Sequence, residues 1–232
     1  MIIEQFVESA STYAEDIDFV FELVFWMVVF WSVLCYAAFF GFIIKFRKKE
    51  GVKAQYITGE EKHQKKWISI PHALVLVCDV FIIWAAVQVW YSVKQDLPPA
   101  DAEVRIMAQQ WAWTFVHPGA DGKLDTADDI KTTDELHVQK GKTYHYHLEA
   151  RDVMHDFSVP VFRLKQDAIP GRIITGWFTP TKTGEYDIQC AEMCGIGHGI
   201  MGARIFIESA EAHAAWIKKN STTSIALNAT GN

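Results

Sequence analysis

The chain has 232 residues, of which half are hydrophobic, and a formal net charge of -6 at pH 7. That negative charge argues against a nucleic-acid-binding protein, which needs basic surface, and suits basic partners instead. The four cysteines are too few and too unevenly placed for a disulfide framework, and without a Cys-x-x-Cys-His motif no covalently attached c-type haem is expected.

Residues 23–93 predict a transmembrane helical hairpin, with spans at about residues 23–44 and 67–91. Each span is long and apolar enough to cross a bilayer as a helix. The connecting loop, residues 45–66, carries eight Lys and Arg residues, whereas residues 1–22 carry none. Because basic residues accumulate on the cytoplasmic side, the loop is predicted to be cytoplasmic and both termini to face outward. The acidic N-terminal segment also lacks the basic region of a cleavable signal peptide.

One residue of the second span, Asp79, does not fit an apolar helix. An acid at that depth is costly and tends to face a partner helix or a water-filled path. Two interpretations are open: a proton route shared with another subunit, and a carboxyl hydrogen-bonded to a neighbouring subunit. The second is favoured.

Residues 94–219 predict an all-β domain. Pro98 and Pro99 form a stiff hinge, and the short β-branched and aromatic runs that follow are separated by turn signals, as in a β-sandwich. Ser209 is expected to cap a closing helix at residues 210–219. The tail, residues 220–232, is rich in Ser, Thr, Ala and Asn and is predicted to be disordered.

The strongest chemical signal is the spacing Cys-x3-Cys-x3-His-x2-Met, formed by Cys190, Cys194, His198 and Met201. Thiolate and thioether sulfur are soft ligands, and together with imidazole they favour copper. Two thiolates on one loop can bridge a pair of copper ions, which then need a second imidazole. The candidate is His155, at the start of an apolar, strand-like run.

This pattern resembles the binuclear copper site, CuA, of subunit II of haem-copper cytochrome c oxidases. The segments 152–160, 167–172 and 110–113 also resemble signature segments of that family, and two membrane spans precede its copper domain too, so the match covers roughly residues 20–217. The resemblance implies a cupredoxin-like Greek-key sandwich after the two-helix transmembrane hairpin.

The resemblance also implies the ligand roles. His155 and His198 would each bind a different copper ion, and Met201 would be a weak axial ligand. Glu192 would contribute its backbone carbonyl, and its side chain would help to hold a magnesium ion at the boundary with the catalytic subunit. Trp111 would accept the electron from cytochrome c; the alternative for this residue is ordinary packing within the sandwich.

The function implied is that of the electron-accepting subunit of a proton-pumping terminal oxidase. Cytochrome c would reduce the copper pair, and the electron would pass to haem in subunit I, where oxygen becomes water. Subunit III and membrane lipid are further expected partners. The favoured location is a bacterial plasma membrane, rather than a mitochondrial inner membrane, with the copper domain on the periplasmic side.

The sequence is compatible with three alternative functions. The same module could serve a nitric oxide reductase, because the difference lies in the partner subunit. A membrane-anchored copper chaperone could use the two cysteines and a distant histidine, although two spans and the additional His198 and Met201 argue against it. A quinol oxidase subunit of the same fold would lack the copper ligands.

The acidic insertion at residues 121–129 superficially resembles a calcium loop, but it lacks the full EF-hand spacing and the closing Glu. A solvated acidic hairpin is therefore predicted, with calcium disfavoured, and it could steer a basic cytochrome c. Structural roles are expected for the remaining histidines of the domain, namely His117, His137, His145, His147 and His213.

Overall fold

A computed structural model describes residues 2–54 and 56–230 of the chain, with side chains up to residue 221. The chain divides into two compact units. One is helical, Asp18–Trp90, and the other, called the β domain below, combines Ile2–Ile17 with Tyr91–Asn232. The last two residues of the predicted tail, 231–232, lie outside the described residues.

The helical unit is built from α2 (Lys62–Trp90) and from all but the first four residues of α1 (Ala14–Lys45). Both are long and apolar enough to cross a membrane, which agrees with the two predicted spans. Each helix begins before the predicted apolar span. In α1 the acidic residues Glu15 and Asp16 occupy the first turn, where the helix dipole favours negative charge. A π-helical turn, Tyr91–Gln95, follows α2.

The β domain contains two five-stranded sheets. The first has the order β3-β2-β1-β5-β8 and the second the order β4-β10-β9-β6-β7. β1 pairs in parallel with β5, and β4 pairs in parallel with β10, while the other neighbours are antiparallel. The strands are β1 Ala102–Gln109, β2 Ala112–His117, β3 Ile130–Thr133, β4 Glu135–Gln139, β5 Tyr144–Ala150, β6 His155–Val159, β7 Leu164–Ala168, β8 Ile174–Phe178, β9 Gly184–Cys190 and β10 Gly202–Glu208.

The core of the β domain follows from the period-two alternation of its strands. In β5, Tyr144, Tyr146 and Leu148 are buried while the residues between them are half-exposed. Their side chains pack with aromatic rings such as Phe157 and Phe178 into one apolar cluster. Two apolar helices followed by a β-sandwich are therefore what the sequence predicted.

The N-terminal segment is an integral part of the β domain, which the sequence did not predict. The Ala10 amide donates to the Val161 carbonyl, and the Thr181 amide donates to the Ala10 carbonyl, both at 2.8 Å. The Tyr13 ring is buried and packs edge-on against Trp177. Residues 2–17 therefore belong to the sandwich rather than forming a separate outer segment.

The closing helix α3, Ala210–Thr230, is capped as predicted, since the Ala212 amide donates to Ser209 Oγ at 3.2 Å. The helix extends to Thr230, past the predicted end at Lys219 and into the predicted tail. Asn220 Nδ2 donates to the Trp216 carbonyl at 2.8 Å, and the Trp216 ring stacks on His137 at 4.2 Å. The stacking of Trp216 on His137 holds the helix against strand β4.

Replacing Tyr13 with Ala should destabilise the β domain by about 3 kcal/mol, because truncating a buried aromatic side chain leaves a cavity. Thermal unfolding of the detergent-solubilised chain, followed by near-ultraviolet circular dichroism, measures the loss. Phe6→Ala is the matched control, since Phe6 is 83% exposed. Equal unfolding temperatures for the two variants would contradict the role given to residues 2–17.

Candidate metal centre

The loop that carries the predicted copper ligands connects the antiparallel strands β9 and β10. Cys190 is the last residue of β9, and Met201 directly precedes β10. The Cys190 amide donates to the Met201 carbonyl at 3.1 Å, which closes the base of the loop. β6 pairs with β9 in the register that places Phe157 opposite Cys190, so His155 at the start of β6 lies beside the loop.

The sulfur and imidazole donors converge at the end of the second sheet. The two Sγ atoms of Cys190 and Cys194 are 3.7 Å apart. His155 Nδ1 lies 3.9 Å from the sulfur of Cys190, and His198 Nδ1 lies 3.7 Å from that of Cys194. The Met201 Sδ atom is 3.8 Å from the sulfur of Cys194.

These separations fit ligands that share metal ions. Two sulfurs bound at about 2.3 Å to one tetrahedral ion lie about 3.8 Å apart, and a sulfur and an imidazole nitrogen about 3.6 Å apart. Both cysteines are free thiols, and His155, Cys190 and Cys194 form the one metal-competent group of three His, Cys or acidic residues found in the described part of the chain. Soft sulfur with imidazole suits copper, so this donor set fits the cofactor that the sequence indicates.

Burial protects most of these donors from water. His155 is 0% exposed, Cys194 3% and Met201 2%. Burial and the neighbouring Cys190 thiol raise the pKa of Cys194 to about 11. Without a metal this thiol therefore keeps its proton at neutral pH, and metal binding must release it.

Glu192 has two groups near the metal loop, its backbone carbonyl and its side-chain carboxyl. Its backbone carbonyl lies 3.2 Å from the sulfur of Cys190, where a carbonyl ligand is expected. Its half-buried side chain contributes to a raised pKa at Asp156. Burial, followed by the Asp167 carboxyl on the neighbouring strand, raises the pKa of Asp156 to about 6. The Asp156 carboxyl beside the loop therefore holds its proton at higher pH than an ordinary aspartate.

A supporting residue that the sequence did not single out is Asp152. Its Oδ1 atom lies 2.9 Å from His155 Nε2 and accepts the Val153 amide at 2.7 Å, while its Oδ2 atom accepts the Gln110 amide at 2.7 Å. A carboxylate on one ring nitrogen fixes the tautomer and orientation of a ligating imidazole. Asp152 therefore leaves Nδ1 of His155 free to bind a metal.

Trp111 lies against the metal loop, with its side chain 38% exposed. A Cβ atom on Gly197 would come within 2.4 Å of the Trp111 ring, so this close packing requires a glycine. Next to Trp111, Gln110 Nε2 donates to the Cys194 carbonyl at 2.7 Å. By contrast, Trp113 is fully buried and packs edge-on against His155, as expected for a core residue.

The other candidate residues have partners away from the loop. The five remaining histidines of the β domain hydrogen-bond to backbone carbonyls or carboxylates: His117 to Ile130, His137 and His213 to Glu208, His145 to Pro98, and His147 to Glu103. In the acidic hairpin, Asp125 forms a two-point ion pair with Arg105 at 2.8 Å, and Asp121 and Asp129 accept backbone amides of the hairpin itself.

Comparison with known proteins agrees with this geometry. The family model described as "Cytochrome C oxidase subunit II, periplasmic domain" matches residues 102–210. The "Alternative cytochrome c oxidase subunit 2" of Bradyrhizobium diazoefficiens is 33% identical over 231 residues, covering 89% of this chain and 80% of the relative. The chain belongs to the cytochrome c oxidase subunit II family. It is thereby part of a haem-copper oxidase.

Other members of the family support the assignment. "Cytochrome c oxidase subunit 2" of Cereibacter sphaeroides is 26% identical over 248 residues, covering 92% of this chain and 79% of the relative. The crystal structure of the periplasmic domain of subunit II (CoxB) of Bradyrhizobium japonicum matches with a TM-score of 0.50 and 26% identity, covering 55% of this chain and 99% of that one. The predicted cupredoxin-like fold is confirmed, and the chain is a membrane-anchored protein with a periplasmic domain.

Replacing Asp152 with Ala should weaken copper binding about 10- to 100-fold, the usual effect of losing the partner of a ligating imidazole. Competition with a copper chelator on the full chain measures the affinity. Asp101→Ala is the control, because Asp101 also accepts a backbone amide, that of Thr143, but none of its contacts involves the metal loop. Equal affinities in the two variants would show that Asp152 does not orient His155.

Proposed function

We propose that this chain is the electron-accepting subunit of a proton-pumping cytochrome c oxidase, taking electrons from cytochrome c at a binuclear copper centre and passing them to haem in subunit I for the reduction of oxygen to water. The observation that carries the proposal is the convergence of three side-chain donors, His155, His198 and Met201, on Cys190 and Cys194, whose sulfurs are 3.7 Å apart. A thiolate-bridged copper pair shares one electron between two ions, so that little reorganisation accompanies its reduction.

The predicted ligands differ in the group that they offer. Cys190 and Cys194 would hold the copper ions as thiolates, with His155 and His198 as imidazole ligands to different ions. Met201 would add a weak thioether ligand and Glu192 its backbone carbonyl. The start of β6, the end of β9 and the loop between β9 and β10 position these groups, and the burial of His155, Cys194 and Met201 would keep water away from bound ions. Such a frame favours fast electron transfer because the ligands do not have to move.

Trp111 is the residue through which the electron enters. Its partial exposure and its packing on Gly197 support this role, because the ring then connects the surface to the loop. The same loop exposes apolar side chains at Met193, Ile196 and Ile200, which are 73%, 96% and 84% exposed. An exposed apolar patch of this kind is typical of a docking surface, here for cytochrome c.

Electrostatic attraction would add to that docking. The chain carries a net charge of -6, and the hairpin at residues 121–129 contributes exposed aspartates. Such a charge distribution steers a basic protein towards the β domain and raises its association rate at low salt. The hairpin carboxylates are already engaged by Arg105 and by backbone amides, so their role is long-range attraction rather than calcium binding.

The remaining parts of the proposal concern the assembly. The Glu192 carboxylate would help to bind magnesium where the β domain meets subunit I, and subunit III completes the complex. Both termini and the β domain lie on the periplasmic side of a bacterial plasma membrane. The packing of residues 2–17 into the β domain supports this orientation, as do the eight basic residues of the loop at 45–66.

The convergence of the ligands distinguishes this function from that of a copper chaperone. A chaperone that carries one ion needs the two thiols and one imidazole, whereas here His198 and Met201 add two further donors within 3.8 Å of the Cys194 sulfur. A quinol oxidase subunit would lack these ligands altogether. A nitric oxide reductase remains compatible with this chain, because the acceptor is reduced in the partner subunit.

Trp111→Ala should slow the reduction of the copper centre by cytochrome c about thirty-fold or more, since truncating a tryptophan at a docking site commonly costs about 2 kcal/mol or more. Stopped-flow mixing of the oxidised complex with reduced cytochrome c measures this rate. The control is reduction of the same variant by a small inorganic reductant, which should proceed at the wild-type rate. An unchanged rate with cytochrome c would exclude Trp111 as the point of electron transfer.

A further inference from the structure

The second membrane helix carries a carboxyl, that of Asp79, to which no other described residue is paired. Asp79 lies midway along α2 between Trp67 and Tyr91, about 18 Å from each at the rise of an α-helix. Tryptophan and tyrosine side chains favour the two membrane interfaces, so Asp79 lies near the middle of the hydrocarbon layer. Its side chain is exposed, and within the described chain no hydrogen bond or ion pair involves it.

Asp79 lies on the edge of an open groove between α1 and α2. The groove has a volume of about 430 Å³ and contains the polar side chains of Ser32, Cys35, Tyr36 and Cys78 among apolar ones. Hydrocarbon offers no hydrogen-bond donor, so a carboxyl that faces it is strongly unfavourable whether charged or neutral. No hydrogen bond from the described residues satisfies the Asp79 carboxyl, not even from Ser32 or Tyr36 in the same groove, so it calls for a donor from a partner in the membrane.

A second titratable residue lies on the same face of α2. His72 precedes Asp79 by seven residues, which places it about two turns away and offset by about 20° around the helix. It is also exposed and unpaired among the described residues. Ala86, a further seven residues along, adds a small side chain that permits close approach of another backbone. His72, Asp79 and Ala86 are called the polar stripe below.

A heptad spacing of this kind is typical of the contact seam between two membrane helices. We propose that the polar stripe binds a transmembrane helix of the haem-bearing subunit, and that this helix presents an N–H or O–H donor side chain to Asp79 at the centre of the bilayer. The inference rests on the proposed function, because it assigns the helical surface through which this chain joins the oxidase.

The polar stripe is less suited to two other binding partners, namely a second copy of this chain and lipid. A second copy of this chain in the same orientation would place one Asp79 carboxyl opposite another, which disfavours the charged form of both. Lipid tails would leave the carboxyl without a donor. A donor on a partner helix satisfies Asp79 and also explains why an acid is tolerated at this depth.

The test compares substitutions in the complete complex, recovered from membranes through a tag on this chain. Asp79→Leu should lower the association constant for the haem-bearing subunit about five- to thirty-fold, the effect of losing one interhelical hydrogen bond. Asp79→Asn should retain most of the association, since its amide oxygen still accepts a hydrogen bond. Val80→Leu, at a neighbouring exposed apolar position, should behave as wild type. Leucine favours insertion of a helix into the membrane. Weaker association of the Asp79→Leu variant with the haem-bearing subunit therefore cannot result from failure of α2 to insert.

Site-specific photo-crosslinking provides the second measurement. A crosslinker at position 79 should attach to the haem-bearing subunit, whereas one at position 81, about 200° around the helix, should not. Crosslinking of position 79 to lipid alone or to another copy of this chain would overturn the inference. So would an Asp79→Leu complex that assembles fully but loses oxygen reduction, because that result indicates a water-filled proton path. If the wild-type chain recovers no haem-bearing partner, the proposed function itself fails.

Discussion

The pairing register between β6 and β9 controls the distance between the His155 imidazole and the thiols of the metal loop. With Phe157 opposite Cys190, the first residue of β6 reaches the turn that carries both cysteines. Because strand side chains alternate between faces, a slip of one residue would point His155 away from the sulfurs. The buried Phe157 ring, packed against Trp113 and Phe115, fixes this register through the core of the sandwich.

Hydrogen bonds and close contacts connect the predicted ligands to Gln110 and Trp111 at the surface of the β domain. Asp152 connects the His155 ring to the Gln110 amide, and the Gln110 side chain connects back to the Cys194 carbonyl. Trp111 follows in the chain and packs on the loop where Gly197 leaves room for its ring. Ligand orientation and the surface that meets the electron donor are therefore built from the same few residues. Such preorganisation suits a centre whose geometry must not change on reduction.

The sequence predicted the chemistry of this protein better than its packing. The metal loop was recognisable because four of its ligands lie within a short, glycine-rich stretch, and the membrane spans were recognisable from their length and charge asymmetry. The structure brings the predicted ligands together. That they bind copper stays a prediction. Residues 2–17 were not assigned to the sandwich, because they carry no strand pattern and their partners are distant in sequence; Ser11, for example, donates to the Phe162 carbonyl. The role of Asp152 depends on three contacts that only the fold creates.

The most direct test of the account is the copper content of the purified full chain together with its electron paramagnetic resonance spectrum. We expect two copper ions per chain and a spectrum in which one unpaired electron is shared equally by both. This outcome requires both thiols to bridge, as their separation of 3.7 Å permits. A single copper ion with a one-ion spectrum, or no copper binding, would contradict the binuclear centre and with it the proposed path of electrons through this chain.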